Sequence, residues 1–140
     1  MTEKQKLIRK LDEVFSKYIR LRDMMPGRVF RCISCGRVLP IEQADCGHYI
    51  NRKHMATRFS ERNCNAQCRS CNRFDEGNMS GYRAGLIKKR GEAIVALLES
   101  QRTENRKWEV WELKAAIEHY QREVKRLEAE KGKLPCGTRL

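Results

Sequence analysis

Apolar positions recur at Leu7, Leu11, Val14, Tyr18 and Leu21, spaced +4, +3, +4, +3, with Lys and Arg over the other faces. That period predicts an amphipathic helix over about residues 3–23. Met25-Pro26-Gly27 ends it, because proline disfavours helical geometry in the residue before it and glycine supplies turn conformations. From Arg28 to Asn78 the periodicity fails, and only short strand-like runs remain, at Arg28 to Cys32 and Gly47 to Ile50. Helical spacing returns from Ser80 to about Leu98 through Leu86, Ile87, Ile94, Leu97 and Leu98, with Gly91 a weak point costing about 1 kcal/mol relative to alanine. A further helix is expected after Thr103 as N-cap, with Glu104 in its first turn.

This last helix carries Val110, Leu113, Ile117, Tyr120, Val124 and Leu127 at +3, +4, +3, +4, +3, a heptad-like seam. Trp108 and Trp111, at i, i+3 spacing, read as packing residues, and Gly132 and Pro135 stop the helix. Two seams at opposite ends of the chain have two readings. They pack on each other in one molecule as an antiparallel pair, or they form an intermolecular coiled coil that makes a homodimer. The chain accordingly divides into an N-terminal helix (1–27), a loop-rich core (28–83), C-terminal helices (84–131) and a tail (132–140).

The loop-rich stretch holds all but one of the seven cysteines, and a segment so poor in apolar residues needs a staple. Cys32-x-x-Cys35 and Cys68-x-x-Cys71 supply four thiolates in the bite that a tetrahedral zinc requires. The cysteine number is odd and no export signal precedes it, so metal is expected rather than disulfides. Four sulfur ligands close the coordination sphere, which makes the zinc structural and places any chemistry elsewhere. Thirty-two residues separate Cys35 from Cys68 and must form structure of their own. Cys46, Cys64 and Cys136 lie outside the two pairs, with no role set by spacing.

Charge narrows the partner. Thirty Lys plus Arg against eighteen Asp plus Glu give +12, which points to a polyanion, with nucleic acid foremost. The basic residues are spread over the whole chain and form no tail. No apolar run approaches the roughly 20 residues of a membrane span. The basic start MTEKQKLIRK lacks the apolar segment of a secretory signal, so a cytoplasmic location is expected. Arginines dominate the middle of the chain. Guanidinium groups grip phosphate oxygens, and Arg52, Lys53, Arg58, Arg69 and Arg73 are the expected DNA-backbone contacts.

The segment between the knuckles opens Ala44-Asp45-Cys46-Gly47-His48-Tyr49 and closes Asn63-Cys64-Asn65-Ala66-Gln67-Cys68-Arg69-Ser70-Cys71-Asn72. It resembles the HNH, or ββα-metal, nuclease motif, in the subset where paired C-x-x-C knuckles bracket the site, as in phage endonuclease VII. The string Cys32-Ile33-Ser34-Cys35-Gly36, Asp45-x-Gly47-His48-Tyr49, Arg58-Phe59-x-Glu61-x-Asn63, Ala66-Gln67-Cys68-x-x-Cys71-Asn72, Gly77-Asn78 and Tyr82-Arg83-x-Gly85-Leu86-Ile87 resembles the NinG (Rap) recombination proteins of lambdoid phages and prophages. Tyr18 to Asp23 is similar to that family as well, and the likeness covers about residues 14–98.

The resemblance implies an α+β, mainly helical protein: a small zinc-stabilised ββα-metal (HNH-like) core flanked by an N-terminal helix and two C-terminal helices. It implies a DNA endonuclease working in the bacterial host cell on branched DNA such as Holliday junctions or D-loops. His48 is then the general base and Asn63 the hairpin asparagine that orients it, while Asn72 binds one divalent ion. A histidine pKa near 6.5 suits the base role at neutral pH. Mg²⁺ or Mn²⁺ suits oxygen ligands from Asp45 and Asn72. Asp45 stands three residues before His48 instead of directly before it, so Glu76, on the same helical face as Asn72 if the helix continues, and Asn78 are further ligand candidates. Two other classes compete: a non-catalytic zinc module that binds nucleic acid or scaffolds a complex, and a coiled-coil adaptor, which leaves the insert unexplained.

Overall fold

A computed structural model describes residues 1–135. The expectation for Cys136 falls outside these residues. Helix α1 spans Glu3–Asp23, opened by a capping box in which the Thr2 hydroxyl accepts from Gln5 N and the Gln5 side chain accepts from Thr2 N. It ends just before Pro26, as the sequence predicts. Leu11, Tyr18 and Leu21 of the predicted stripe are buried, but so are Phe15 and Ile19. The buried face is broad because α1 lies against two partners, the last helix on one side and a β-hairpin on the other.

Strands β1 (Val29–Arg31) and β2 (Val38–Pro40) pair antiparallel, with Phe30 opposite Leu39. Strands β3 (Ala44–His48) and β4 (Cys64–Cys68) form a second antiparallel hairpin, in register from Ala44–Cys68 to His48–Cys64. The strand expected at Gly47 to Ile50 thus lies earlier, and β4 carries no periodicity to reveal it. All five β4 residues are buried, since helices cover both faces of the hairpin and the usual alternation is lost.

After β4 comes a single wide helical turn, Ser70–Phe74, and then α2 (Met79–Arg90), capped by Asn78. The order is strand, strand, helical turn, but no continuous helix begins at Asn72. Glu76 has φ +48°, so it does not share a helical face with Asn72 as expected. The helix predicted from Ser80 to Leu98 is two helices: Gly91 (φ +91°) separates α2 from α3 (Glu92–Ser100). Tyr82 and Leu86 of α2 meet Val95 and Leu98 of α3 over Tyr49 and Ile50, a small second core.

Thr103 lies in a short 3-10 turn and caps nothing. The last helix, α4 (Val110–Lys131), starts seven residues later behind a capping box of Glu109 and Glu112. Its seam, Leu113, Ile117, Tyr120, Val124 and Leu127, is buried with the apolar face of α1, so both seams are satisfied inside one chain. The pair is parallel, not antiparallel. Lys10, Val14 and Lys17 run alongside Gln121, Val124 and Glu128, and the Lys131 ammonium caps the carbonyls of Leu21, Arg22 and Met24 at the C-terminus of α1. An antiparallel pair is the outcome of a short connecting loop; here about ninety residues intervene and impose no such direction. Trp108 packs edge-on against Phe59 and donates to the Met55 carbonyl, whereas Trp111 is 72% exposed and packs on nothing in the core, contrary to its expected role. Replacing Leu113, fully buried in this seam, by alanine is expected to cost about 2–5 kcal/mol in urea unfolding. A loss below about 1 kcal/mol would remove the helix pair from the core.

The architecture is mixed α/β and mainly helical, with two small sheets. Among the described residues, no helix is long and apolar enough to cross a membrane.

Candidate metal centre and polar cleft

The β1–β2 turn carries Cys32 and Cys35; the end of β4 and the turn after it carry Cys68 and Cys71. Their four sulfurs lie within 4.8 Å of one another, with Cys35 Sγ and Cys68 Sγ 3.9 Å apart. Backbone N–H groups point at them: Cys68 N to Cys32 Sγ at 3.3 Å and Cys71 N to Cys68 Sγ at 3.4 Å. Such donors suit thiolates. Burial raises the Cys35 pKa, but hydrogen bonds from Arg37 outweigh it and bring the thiol down to about 6. Burial carries Cys71 up to about 12, so binding a metal would expel its proton. The donor set fits a closed Cys₄ zinc site, and a structural metal such as zinc could be held here.

Helix α2 is seated on this knuckle by glycine. A Cβ on Gly85 would stand 1.9 Å from the Ile33 carbonyl oxygen, a backbone atom with little freedom to move. Gly85→Ala is therefore expected to push α2 off the knuckle and lower the thermal midpoint by about 4 °C or more. An unchanged midpoint would mean that the contact yields freely.

On β3, residues 46 and 48 share one face of the hairpin and residue 45 faces the other way. His48 donates Nε2–H to the Arg58 carbonyl at 3.0 Å, and since a carbonyl can only accept, Nδ1 keeps the lone pair. Burial pushes the imidazole down to about 4, so the ring is neutral at pH 7. Asn63 is completely buried. Its Nδ2 donates to the Ile50 and Thr57 carbonyls at 3.0 and 3.1 Å, and its Oδ1 accepts from Ile50 N at 2.8 Å. Those three bonds clamp the loop that leads to Arg58, whose carbonyl meets His48.

Asp45 and Asn72 do meet: Asn72 Nδ2 donates to Asp45 Oδ2 at 3.0 Å. The buried carboxylate, however, is already engaged by Arg73, whose Nε and Nη2 each donate at 2.8 Å. Arg73 is thus held in an ion pair with Asp45. Asn78, the further ligand candidate, caps α2 and donates to Cys71 Sγ at 3.4 Å, which commits it to the knuckle.

His48, Asn72 and Glu76 line an open cleft of about 960 Å³ together with Arg52, Lys53, His54, Arg58 and Arg102. Three of the five expected phosphate contacts therefore reach it. Arg52 and Arg58 are tethered by the Asp12 carboxylate of α1, while Arg69 donates to the Glu42 carbonyl elsewhere. Nothing in the sequence singles out Asp12 or Arg102. Each sits in a helical context where one more charge carries no signal, and only the tertiary fold brings them to the cleft.

A cysteine tetrad that could hold a structural metal, beside a histidine that lines a basic cleft, marks a small mixed α/β protein with a cysteine-knuckle core. The chain belongs to the bacteriophage lambda NinG protein family, whose family model matches residues 1–130. It is 37% identical over 121 residues to protein ninG of Escherichia phage lambda, covering 86% of this chain and 56% of that one. It is 38% identical over 121 residues to protein ninG of Salmonella phage P22, covering 57% of that protein. The chain thus spans a little over half the length of these curated relatives. No solved structure matches it.

Proposed function

We propose that this chain is a metal-dependent DNA endonuclease of phage recombination, hydrolysing phosphodiester bonds in branched DNA from the cleft that holds His48. The observation that carries the reading is the hydrogen bond of His48: Nε2 meets a backbone carbonyl, which can only accept, so the lone pair is left on Nδ1 in a neutral ring that lines a cationic cleft. Nδ1 accepts the proton of the attacking water. Asn63 holds the loop whose carbonyl orients the ring. Lys53, Arg52 and Arg102 attract the phosphates. Asn72 and Glu76 offer oxygen atoms for Mg²⁺ or Mn²⁺ at the cleft, and Asp45 joins them only by releasing Arg73. When bound, the ion supplies charge stabilisation at the leaving oxygen.

The engagement of Asp45 by Arg73 favours a second reading, a zinc-stabilised module that binds nucleic acid without cutting it. Symmetrical cutting of a junction needs two sites, and because both helical seams are buried within the chain, a homodimer would use another surface. The deciding experiment incubates the protein with linear and four-way DNA, with and without Mg²⁺ or Mn²⁺, beside His48→Ala. Ion-dependent cutting that the variant loses is expected. Salt-sensitive binding without cutting would replace the endonuclease by the binding module.

A further inference from the structure

We propose that Cys46, His48 and Cys64 form a second metal site, distinct from the Cys₄ knuckle and selective for a thiolate-seeking ion such as Zn²⁺. Their ligand atoms lie within 4.8 Å of one another, on the face of the β3–β4 hairpin that packs against α1. The register creates the cluster. Cys46 and His48 are alternate residues of β3, and Cys64 stands directly across from His48.

Four features point to an ion in this place. His48 gives its Nε2–H to the Arg58 carbonyl, the outer hydrogen bond that a metal-bound histidine characteristically makes, with its lone pair on Nδ1, and Cys64 Sγ lies 3.6 Å from the same carbonyl oxygen, so the histidine and the thiol converge. A cavity of about 30 Å³, room for one ion or water, is lined by Cys46, His48, Asp12 and Ser16. The Ser16 hydroxyl, 3% exposed, lines that cavity with no hydrogen-bond partner among the described residues. Arg20, 4% exposed and beside Cys46, likewise has an Nη1 without a partner there, and a buried guanidinium is matched by the anionic charge that metal-bound thiolates would bring.

Two thiolates and an imidazole suit zinc and leave a fourth position open toward the cavity, unlike the closed knuckle. An ion here would occupy the Nδ1 lone pair that hydrolysis requires. That consequence rests on the endonuclease reading, whereas the binding itself does not: zinc beyond the first equivalent would suppress Mg²⁺-dependent cutting.

The test is a metal stoichiometry on the full chain without DNA. Apoprotein is titrated with Zn²⁺, and with Co²⁺ for its thiolate absorption, in wild type, Cys46→Ala and Cys64→Ala. The wild type is expected to bind two equivalents. Each variant should retain the first, which certifies the knuckle and the fold, and hold the second at least about 100-fold more weakly. Imidazole NMR of the wild type supplies an independent reading: the second equivalent should shift His48 and leave His54 and His119 unmoved. Saturation at one equivalent, two tight equivalents in both variants, or no response at His48 would each overturn the site. Absence of DNA cutting under all conditions would overturn the endonuclease and leave this result standing.

Discussion

Cys68→Ser is expected to leave the middle of the chain unfolded at 25 °C, with loss of the β3–β4 hairpin from the amide NMR spectrum. Cys68 ends β4 opposite Ala44 and accepts the backbone N–H of Cys71, so its sulfur joins the hairpin to the turn that follows. The stretch from Arg28 to Asn78 has strands of three to five residues, too short to hold together alone. Structural zinc contributes on the order of 10–16 kcal/mol in small zinc-finger folds, comparable with the whole stability of a domain this size. A strong chelator should act on the wild type as the serine does, and readdition of zinc should restore the fold. A hairpin that keeps its amide pattern in the variant, or under chelation, would show that apolar packing alone suffices.

The second large effect follows from the proposed endonuclease reading. His48→Ala should lower the rate of ion-dependent DNA cutting by about 10²- to 10⁴-fold, the usual contribution of a positioned base. DNA affinity should change little, since Arg52, Lys53 and Arg102 remain in place. Asn63→Ala should also slow cutting but by a different route. It frees the Ile50 and Thr57 carbonyls inside the protein and lets the Arg58 carbonyl drift, so lowered thermal stability should accompany the lost rate. Cutting by His48→Ala at the wild-type rate would remove His48 from the chemistry.

The parts of the molecule with strong local signals are legible in the amino-acid order alone. The period of Leu7 to Leu21 and of Leu113 to Leu127 announces α1 and α4, and the paired C-x-x-C spacing announces the tetrad, because each follows from helix geometry or metal bite. Directions and interruptions are not. The parallel sense of α1 and α4 depends on the intervening fold, and β4 hides because Cys64 to Cys68 is buried on both faces. The cleft is half legible. His48 and Asn72 reach it, but the commitment of Asp45 to Arg73 and of Arg58 to Asp12 is a matter of tertiary distance. So is the meeting of Cys46 with Cys64, eighteen residues apart in sequence and neighbours across the hairpin.

The parallel pairing of α1 with α4 sets a timetable for synthesis. Lys131 reaches back 110 residues to the Leu21 carbonyl, so the apolar face of α1 finds its mate only when nearly the whole described chain has left the ribosome. At about 5–20 residues per second, that leaves α1 waiting on the order of 5–20 s with its face uncovered. Contacts of such separation also slow refolding. During that interval the nascent chain exposes Val14 and Tyr18, which later meet Val124 and Tyr120, as a site for chaperone capture, and truncation before Leu113 would make the exposure permanent.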